Sequence, residues 1–339
     1  MGGLSRRYSK VHELKSEGKN PIILDAGDLL FSTTNLNKNN IESEEYRASA
    51  VLEGYGKIGC DAINVGKYEL LNGLSFLKKM SNTTDIPFLS ANLRNAKTKQ
   101  LLFQPYIIVK RGDLSVGIIG VSSLLPDTST VVFADDFIQA GNSYIDKLSD
   151  ETDIIIMLIN TDRQSQKSLA TNFENADFIV TSGSTNLTRT NVPQSENGPY
   201  MFSCGKQGKY LQTIEAKLKD PSSPFVNISD HEKKIKNVKK RFEKLQKKDP
   251  KKKLVDIYKD QSNVLKLIDQ YRMDLKTSED AIAKAKNTII YKTIGLNKKI
   301  TDDSEMLSFV NQSLSKCKAL KPEVKEIKKA KIDHSGHDH

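Results

Sequence analysis

The first 230 residues alternate short apolar segments with amphipathic ones. Each apolar segment runs into polar residues, as in NPIILDAGDLL, CDAINVG, IPFLSANL, DIIIMLIN and ADFIVTSGSTN. Such segments predict buried β-strands that carry polar side chains at their C-terminal ends. The intervening segments, such as EEYRASAVLEGYGKIG, predict amphipathic helices. This alternation predicts an α/β sandwich whose functional loops lie at the strand ends.

From residue 230 onward the apolar residues follow a helical period. Ile235, Val238, Phe242 and Leu245 recur at steps of three and four, and Pro250 then ends the helix. A second run keeps alternating steps of three and four through Leu254, Ile257, Gln261, Val264, Ile268, Tyr271, Leu275, Ser278, Ile282, Ala285 and Ile289. This spacing is typical of coiled coils, and it predicts an antiparallel α-helical hairpin after the α/β domain.

The charge distribution divides the chain at the same place. Residues 1–230 contain 24 Lys and Arg against 26 Asp and Glu, whereas residues 231–339 contain 28 against 16. The net charge of +10 therefore belongs to the C-terminal third. We predict four parts: an α/β domain over 1–228, a Lys-rich helical hairpin over 229–295, a link and terminal helix over 296–320, and a disordered His-containing tail over 321–339.

Composition argues against several classes of protein. The cysteines Cys60, Cys204 and Cys317 are far apart and predict buried or incidental thiols rather than a disulfide framework. No stretch approaches the ~18–20 apolar residues of a membrane span. The first residues, MGGLSRRYSK, lack the apolar stretch of a secretory signal. The oligomeric state is open at this point.

One strand end has the outline of a catalytic turn. In INVGKYELLNG, residues 63–73, an apolar strand runs through Gly66 into Lys67, Tyr68 and Glu69, and a leucine-rich helix follows. Strand, tight turn and helix form the usual place for metals and phosphates in α/β enzymes. An ammonium group and a phenol are nevertheless poor metal ligands, so these residues predict either another chemistry or a lost one.

Four stretches together resemble the 5'-nucleotidase branch of the calcineurin-like metallophosphoesterases, which includes bifunctional UDP-sugar hydrolases. They are GGLSRRYSKVHELKSEGKNPIILDAGDLL, AINVGKYELLNGLSFL, IPFLSANL and DIIIMLINTDRQSQKSLATNFENADFIVTSGSTN, and they follow the order of that family's motifs. The resemblance covers residues 2–220. It implies a four-layer α-β-β-α sandwich. The family's first motif, Asp-x-His, would lie upstream of Met1, so we expect the first strand of the sandwich to be missing here.

The resemblance also implies a metal site that this sequence does not keep. In the family, two divalent metal ions ~3.5–4 Å apart activate a bridging hydroxide for attack on a phosphoester. Asp28 matches the bridging aspartate, and Glu69 of the Gly-Asn-His-Glu turn remains. The asparagine ligand and the catalytic histidine of that turn are replaced by Lys67 and Tyr68. The other histidine positions fall on Thr161, Gly183 and Thr185.

The scarcity of histidine supports this reading independently of the alignment. Residues 13–230 contain no histidine, and His12 lies on a predicted surface helix. We therefore predict no catalytic residue and no cofactor, with Asp28 as the one retained ligand position. Two hypotheses for Lys67 remain open: its ammonium supplies the charge that a metal once supplied beside Asp28, or it reaches solvent. Tyr68 is expected to be a packed aromatic residue.

Three functions compete. The first is a catalytically inactive phosphoesterase-fold protein that acts as a binding or scaffold module, with the hairpin contacting a protein partner. The second is a metal-dependent phosphoester hydrolase with a non-standard or incomplete dinuclear site. The third is polyanion or nucleic-acid binding through the basic hairpin, which the scarcity of arginine and aromatic residues there disfavours for nucleic acid.

Two further expectations concern the tail and the location of the protein. His334, His337 and His339 alternate with carboxylates in DHSGHDH and predict a weak metal-binding tail. The family is usually exported or periplasmic, so the resemblance implies export, although the chain itself shows no signal. Its location is therefore open.

Overall fold

A computed structural model describes residues 3–127, 130–189, 194 and 198–321. In chain order the helices are α1 (Leu4–Ser16), α2 (Ile41–Ile58), α3 (Gly73–Ser81), α4 (Phe137–Leu148), α5 (Leu169–Asn172), α6 (Ser229–Gln246), α7 (Leu254–Ile257), α8 (Ser262–Lys284) and α9 (Ser304–Ala319). The strands are β1 (Leu24–Asp25), β2 (Ala62–Asn64), β3 (Phe88–Leu89), β4 (Leu93–Asn95), β5 (Tyr106–Arg111), β6 (Leu114–Ser122), β7 (Val132–Ala134), β8 (Ile154–Asn160), β9 (Phe178–Ser182), β10 (Tyr200–Ser203), β11 (Tyr210–Lys217), β12 (Phe225–Asn227) and β13 (Asn287–Gly295).

Two sheets form the centre of the molecule. The first has the parallel order β1-β2-β3, and the second has the order β10-β9-β8-β6-β5. In the second sheet β5 and β6 are antiparallel and form a β-hairpin, while the other neighbours are parallel. Strand β8, with the sequence IIIMLIN, is apolar along nearly its whole length because both faces of its sheet are covered.

Helices cover the outer face of each central sheet. Apolar side chains of α2 and α3, including Leu52 and Leu77, pack against the first sheet. On the far side, Ile145 of α4 and Phe173 after α5 pack against the second sheet. The arrangement confirms the predicted four-layer α-β-β-α sandwich.

Local signals in the sequence set the ends of several helices. Helix α2 stops at Gly59, whose φ of 82° is left-handed and suits glycine. Asp136 caps α4 by accepting hydrogen bonds from the backbone N–H groups of Ile138 and Gln139. Asp303 caps α9 in the same way through Met306 N. Residues 296–303 connect β13 to α9.

The predicted hairpin is shorter than the apolar spacing indicated. Helices α6 and α8 pack on each other, but α8 ends at Lys284. The last predicted coiled-coil position, Ile289, lies instead on β13, and it is fully buried. Strand β13 occupies the middle of a third sheet of order β11-β13-β12. The prediction of helix through residue 295 is therefore wrong, because the β-branched segment NTIIYKTIG pairs with two strands.

The helical hairpin is therefore an insertion between two neighbouring strands. Strands β12 and β13 are parallel, and parallel neighbours need a crossover connection. Residues 228–286 provide that crossover. Within the described residues, none of the helices combines the length and apolarity that a membrane crossing requires.

Candidate functional site

The C-terminal ends of four central strands meet at one place and bring their polar residues together. Asp28 follows β1, and Oδ1 of its carboxylate accepts a hydrogen bond from Tyr68 N at 3.0 Å. Asn160 ends β8, and its Oδ1 accepts from Lys67 N at 3.1 Å. Asn160 Nδ2 donates to Ser182 Oγ of β9 at 2.7 Å. The structure thus places Asp28, Lys67 and Tyr68 together at these strand ends, in what we call the pocket.

Glu69 is fully buried and supports the backbone of this pocket. Its Oε1 accepts from the backbone N–H groups of Leu29 at 2.7 Å and Leu30 at 3.2 Å. Its Oε2 accepts from Asp28 N at 2.8 Å and Gly66 N at 2.9 Å. Burial and the nearby charge of Asp28 raise the pKa of Glu69 to about 7, although hydrogen bonds from the backbone N–H groups lower it. Glu69 therefore joins the turn after β1 to the turn after β2.

Asp28 is held in an unusual backbone conformation. Its φ of 64° is left-handed, which non-glycine residues adopt rarely. Burial raises the pKa of its carboxyl group, while hydrogen bonds from Tyr68 N, the Asn160 side chain and Gly183 N lower it. The positive charge of Lys67 lowers that pKa further. The carboxylate is therefore already bound by protein donors.

Lys67 and Tyr68 are half-buried at the edge of the pocket. Among the described residues, no ion pair within 4.0 Å joins the Lys67 ammonium to a carboxylate. Its charge nevertheless acts on Asp28, so the hypothesis that Lys67 replaces a metal's charge stays a prediction. Burial and the charge of Asp28 raise the pKa of the Tyr68 hydroxyl, which keeps that group protonated near neutral pH.

The remaining predicted site residues lie on the loops after β8 and β9. Thr161 is fully buried, and its hydroxyl lies 2.6 Å from Ser123 Oγ. Gly183 has a φ of 80°, and a Cβ atom built there would lie 2.4 Å from the Thr161 carbonyl oxygen. Thr185 is exposed on the loop. The structure therefore brings Thr161 and Gly183 together and leaves Thr185 at the surface.

Comparisons with known proteins show which curated proteins this chain resembles in sequence. No family model matches the chain. It is 27% identical over 245 residues to human 5'-nucleotidase, a match that covers 69% of this chain and 38% of that protein. It is 31% identical over 111 residues to the protein UshA of Escherichia coli, covering 33% of this chain and 19% of UshA. The chain thus spans less than half the length of these curated relatives.

Among solved structures, the calcineurin-like phosphoesterase YfkN from Bacillus subtilis superposes with a TM-score of 0.63 at 17% identity. That likeness covers 95% of this chain and 91% of the YfkN chain, and at this identity it shows the fold. This chain is a relative of the 5'-nucleotidases with the calcineurin-like phosphoesterase fold. The resemblance predicted from the four sequence motifs is confirmed.

The two-metal centre of this phosphoesterase family does not fit the residues present. Asp28 is the one matched ligand, and its carboxylate already accepts from protein donors. Lys67 adds a cation to a pocket that would have to admit further cations. A histidine at residue 183 would collide with the Thr161 backbone. No group of three or more His, Cys, Asp and Glu that could hold a metal is found among the described residues.

Sequence reasoning missed the amides that fill the phosphoesterase pocket. Asn160 contacts both Lys67 N and Ser182 Oγ. Gln166 is also buried, and its Nε2 donates to the backbone oxygens of Thr161 at 3.2 Å and Ser182 at 3.0 Å. One signal for Asn160 was present in the sequence, because it ends an apolar strand and directly precedes Thr161. The three tail histidines, His334, His337 and His339, lie outside the described residues.

Proposed function

We propose that this chain is a phosphoesterase-fold protein that does not hydrolyse phosphoesters and acts as a binding or scaffold module. The observation that supports the proposal is the lack of metal-binding side chains at the positions that match the family's ligands. Lys67, Tyr68, Thr161, Gly183 and Thr185 offer no imidazole, and the buried ones among them are engaged in hydrogen bonds or packing within the protein. Carboxylates, amides and imidazoles are what a dinuclear site needs to hold hard and borderline cations.

The closed hydrogen-bond network at the pocket is consistent with a structural role. Ser182 Oγ accepts from Asn160 and donates to Ala26 O at 2.6 Å, which links β9 to β1. Gln166 Oε1 accepts from Ser184 Oγ at 2.9 Å and from Asn186 Nδ2 at 2.7 Å. These hydrogen bonds tie the strand ends and the following loops to one another, and such a held arrangement suits a scaffold.

The alternative is a metal-dependent phosphoester hydrolase, similar to a 5'-nucleotidase, with a non-standard site. It would keep Asp28 and take its other ligands from groups outside the family pattern. The relatives' name, 5'-nucleotidase, is the reason to test this alternative directly. It predicts bound metal close to two ions per chain and turnover of a phosphoester.

Metal content and hydrolysis test the proposal on the full chain. After incubation with Mn²⁺, Zn²⁺ or Co²⁺ and desalting, we expect no stoichiometric metal by elemental analysis. We also expect no turnover of adenosine 5'-monophosphate or bis(p-nitrophenyl) phosphate beyond the Asp28→Asn variant, which serves as the matched control. Metal near two ions per chain, together with turnover that Asp28→Asn abolishes, would show that the chain is a hydrolase and that the proposal is wrong.

A further inference from the structure

The helical hairpin is joined to the rest of the molecule at its base. Its base is fixed at the third sheet, where Ser229 Oγ accepts from Tyr291 N at 2.9 Å. Farther along, α6 and α8 contact each other, for example where Arg241 Nη1 donates to Tyr271 OH at 3.0 Å. Helix α6 has 18 residues, so its far end lies about 27 Å from its start. The segment that joins the two helices therefore forms the tip of the hairpin, far from its base at the third sheet.

The tip, residues 247–255, has the sequence KKDPKKKLV, with five lysines and one aspartate. All five lysine side chains are exposed: Lys247, Lys248, Lys251, Lys252 and Lys253. The long helix α8, in contrast, carries equal numbers of basic and acidic residues. The positive charge of the hairpin is thus concentrated along α6 and at the tip rather than spread over its surface.

The backbone of the tip is held in place by its own contacts. Gln246 Nε2 donates to the carbonyl oxygens of Asp249 at 2.7 Å and Lys252 at 2.8 Å. Tyr258 is buried beneath the tip, donates from its hydroxyl to Leu245 O at 3.0 Å, and lies under the Lys248 ammonium. The lysines therefore project from a fixed turn, which lowers the entropy lost when they bind a partner.

We propose that the tip of the hairpin binds an anionic phospholipid surface. Clusters of four to eight lysines or arginines are attracted to negatively charged headgroups. Val255, 43% exposed, adds an apolar contact beside the lysines. The segment 247–255 contains neither arginine nor an aromatic residue, the groups that read or stack on nucleic-acid bases. A bilayer surface therefore fits the tip better than a nucleic acid does.

This inference rests on the proposed role as a binding module, but it concerns the hairpin and not the pocket. Binding to vesicles and the metal and hydrolysis assays can therefore fail separately. If the chain proves to be a hydrolase, the tip experiment remains valid. If the tip does not bind vesicles, the proposal for the pocket is unaffected.

The experiment measures binding of the full chain to phosphatidylcholine vesicles with and without phosphatidylglycerol. The tip variant carries Lys247→Gln, Lys251→Gln and Lys253→Gln, whose side chains make no described contact. The matched control changes three exposed lysines of the α/β domain, Lys78, Lys97 and Lys110, to glutamine. Both variants lose the same charge, and circular dichroism and thermal unfolding confirm that both remain folded.

We expect the chain to bind the anionic vesicles only, and to bind them less tightly as salt rises. Each lysine at such a surface contributes about fivefold in affinity, so the tip variant should bind at least about tenfold more weakly while the control stays near wild type. Equal loss in both variants, or no preference for anionic vesicles, would overturn the proposal. Tip-dependent binding to a DNA duplex that is tighter than binding to vesicles would overturn it as well.

Discussion

At the scale of single residues, hydrogen bonds and close packing between protein groups hold the strand ends of the pocket together. Asn160 occupies the space between two strand ends, and a Cβ atom at Gly66 would lie 2.9 Å from the Asn160 side chain. Glu69 accepts hydrogen bonds from four backbone N–H groups. If the proposed loss of the metal site is right, backbone packing is part of it, and we expect that single substitutions back to the family's residues do not rebuild the site.

Gly183 gives a direct test of that backbone change. Gly183→Ala should lower the free energy of unfolding by about 1–3 kcal/mol, because its φ is left-handed and the new Cβ would meet the Thr161 carbonyl oxygen. The matched control is Gly56→Ala in α2, where a Cβ meets nothing within 4 Å and alanine favours the helix. Chemical denaturation measures both variants. Equal stability of Gly183→Ala and wild type would contradict this account of the loop after β9.

The sequence predicts which residues lie at the strand ends but not which atoms they contact there. Asp28, Lys67 and Tyr68 could be placed together because each follows a strand of one sheet, and such ends meet at one edge. The role of Asn160 depends on which side-chain atoms face one another across β8 and β9. The spacing of residues along the chain does not predict these contacts. Thr185 illustrates the same limit, since its predicted position in the pocket proved to be an exposed loop.

At the scale of elements, the third sheet contains a segment whose apolar spacing predicted a helix. Its β-branched composition favours the strand that the structure shows. The steps of three and four that define the hairpin continue through Ala285 and Ile289. Ala285 is already extended, with a ψ of 123°, and the following residues are rich in isoleucine and threonine. A short apolar run matches a helical face and a buried strand equally well, so β-branched composition has to decide between them. The pairing of β13 with two strands settles the matter in favour of a strand.

The placement of Ile289 can be tested by truncating its side chain. Ile289→Ala should cost about 3 kcal/mol of unfolding free energy, because the side chain is fully buried in a core that includes Phe225 and Tyr291. Leu267→Ala on α8 is the control, since that side chain is 44% exposed and should matter by less than about 0.5 kcal/mol. Urea unfolding gives both values. Similar small losses at the two positions would instead place Ile289 on a partly exposed helical seam.

At the scale of the whole molecule, the two ends of the described chain lie against each other. Helix α9 packs on α1 and α2, where Met306 joins Val11 and Ile58 in a small apolar cluster. Asp302, just before α9, accepts hydrogen bonds from Ser5 and from both Nε and Nη2 of Arg6. The beginning of the α/β domain is thus stabilised by residues that follow the hairpin, so the first and last elements form one unit.

This contact should weaken in acid. The Ser5 hydroxyl and the Arg6 guanidinium hold the pKa of Asp302 below its usual range. Stability from a carboxylate with a lowered pKa is present above about pH 4 and is lost as pH falls through the lowered pKa. The protection factors of the α9 amides, which correct exchange rates for their intrinsic pH dependence, should therefore fall on acidification. The effect should stay below about 1 kcal/mol, because the Asp302 side chain is 26% exposed.

Two variants distinguish the loss of the Asp302 contact from other effects of low pH on the protein. Asp302→Asn should show lowered protection factors in α9 already at neutral pH, with little further change of these factors in acid. Asp269→Asn, which removes an exposed pair with Arg272 on the hairpin, should leave the exchange of α9 unchanged. If α9 in Asp302→Asn kept the full pH response of wild type, another group would have to be responsible.

The crossover between β12 and β13 has a consequence for the order of folding during synthesis. Strands β11 and β12 leave the ribosome first, yet each pairs with β13 and not with the other. Neither strand can pair until residues 287–295 have been synthesised, and these residues follow the entire hairpin. Pairings between residues that are distant in sequence also form slowly. Until then their edges offer unpaired backbone groups to other chains. A chain that stops before Asn287 would keep both outer strands and lack the strand that joins them.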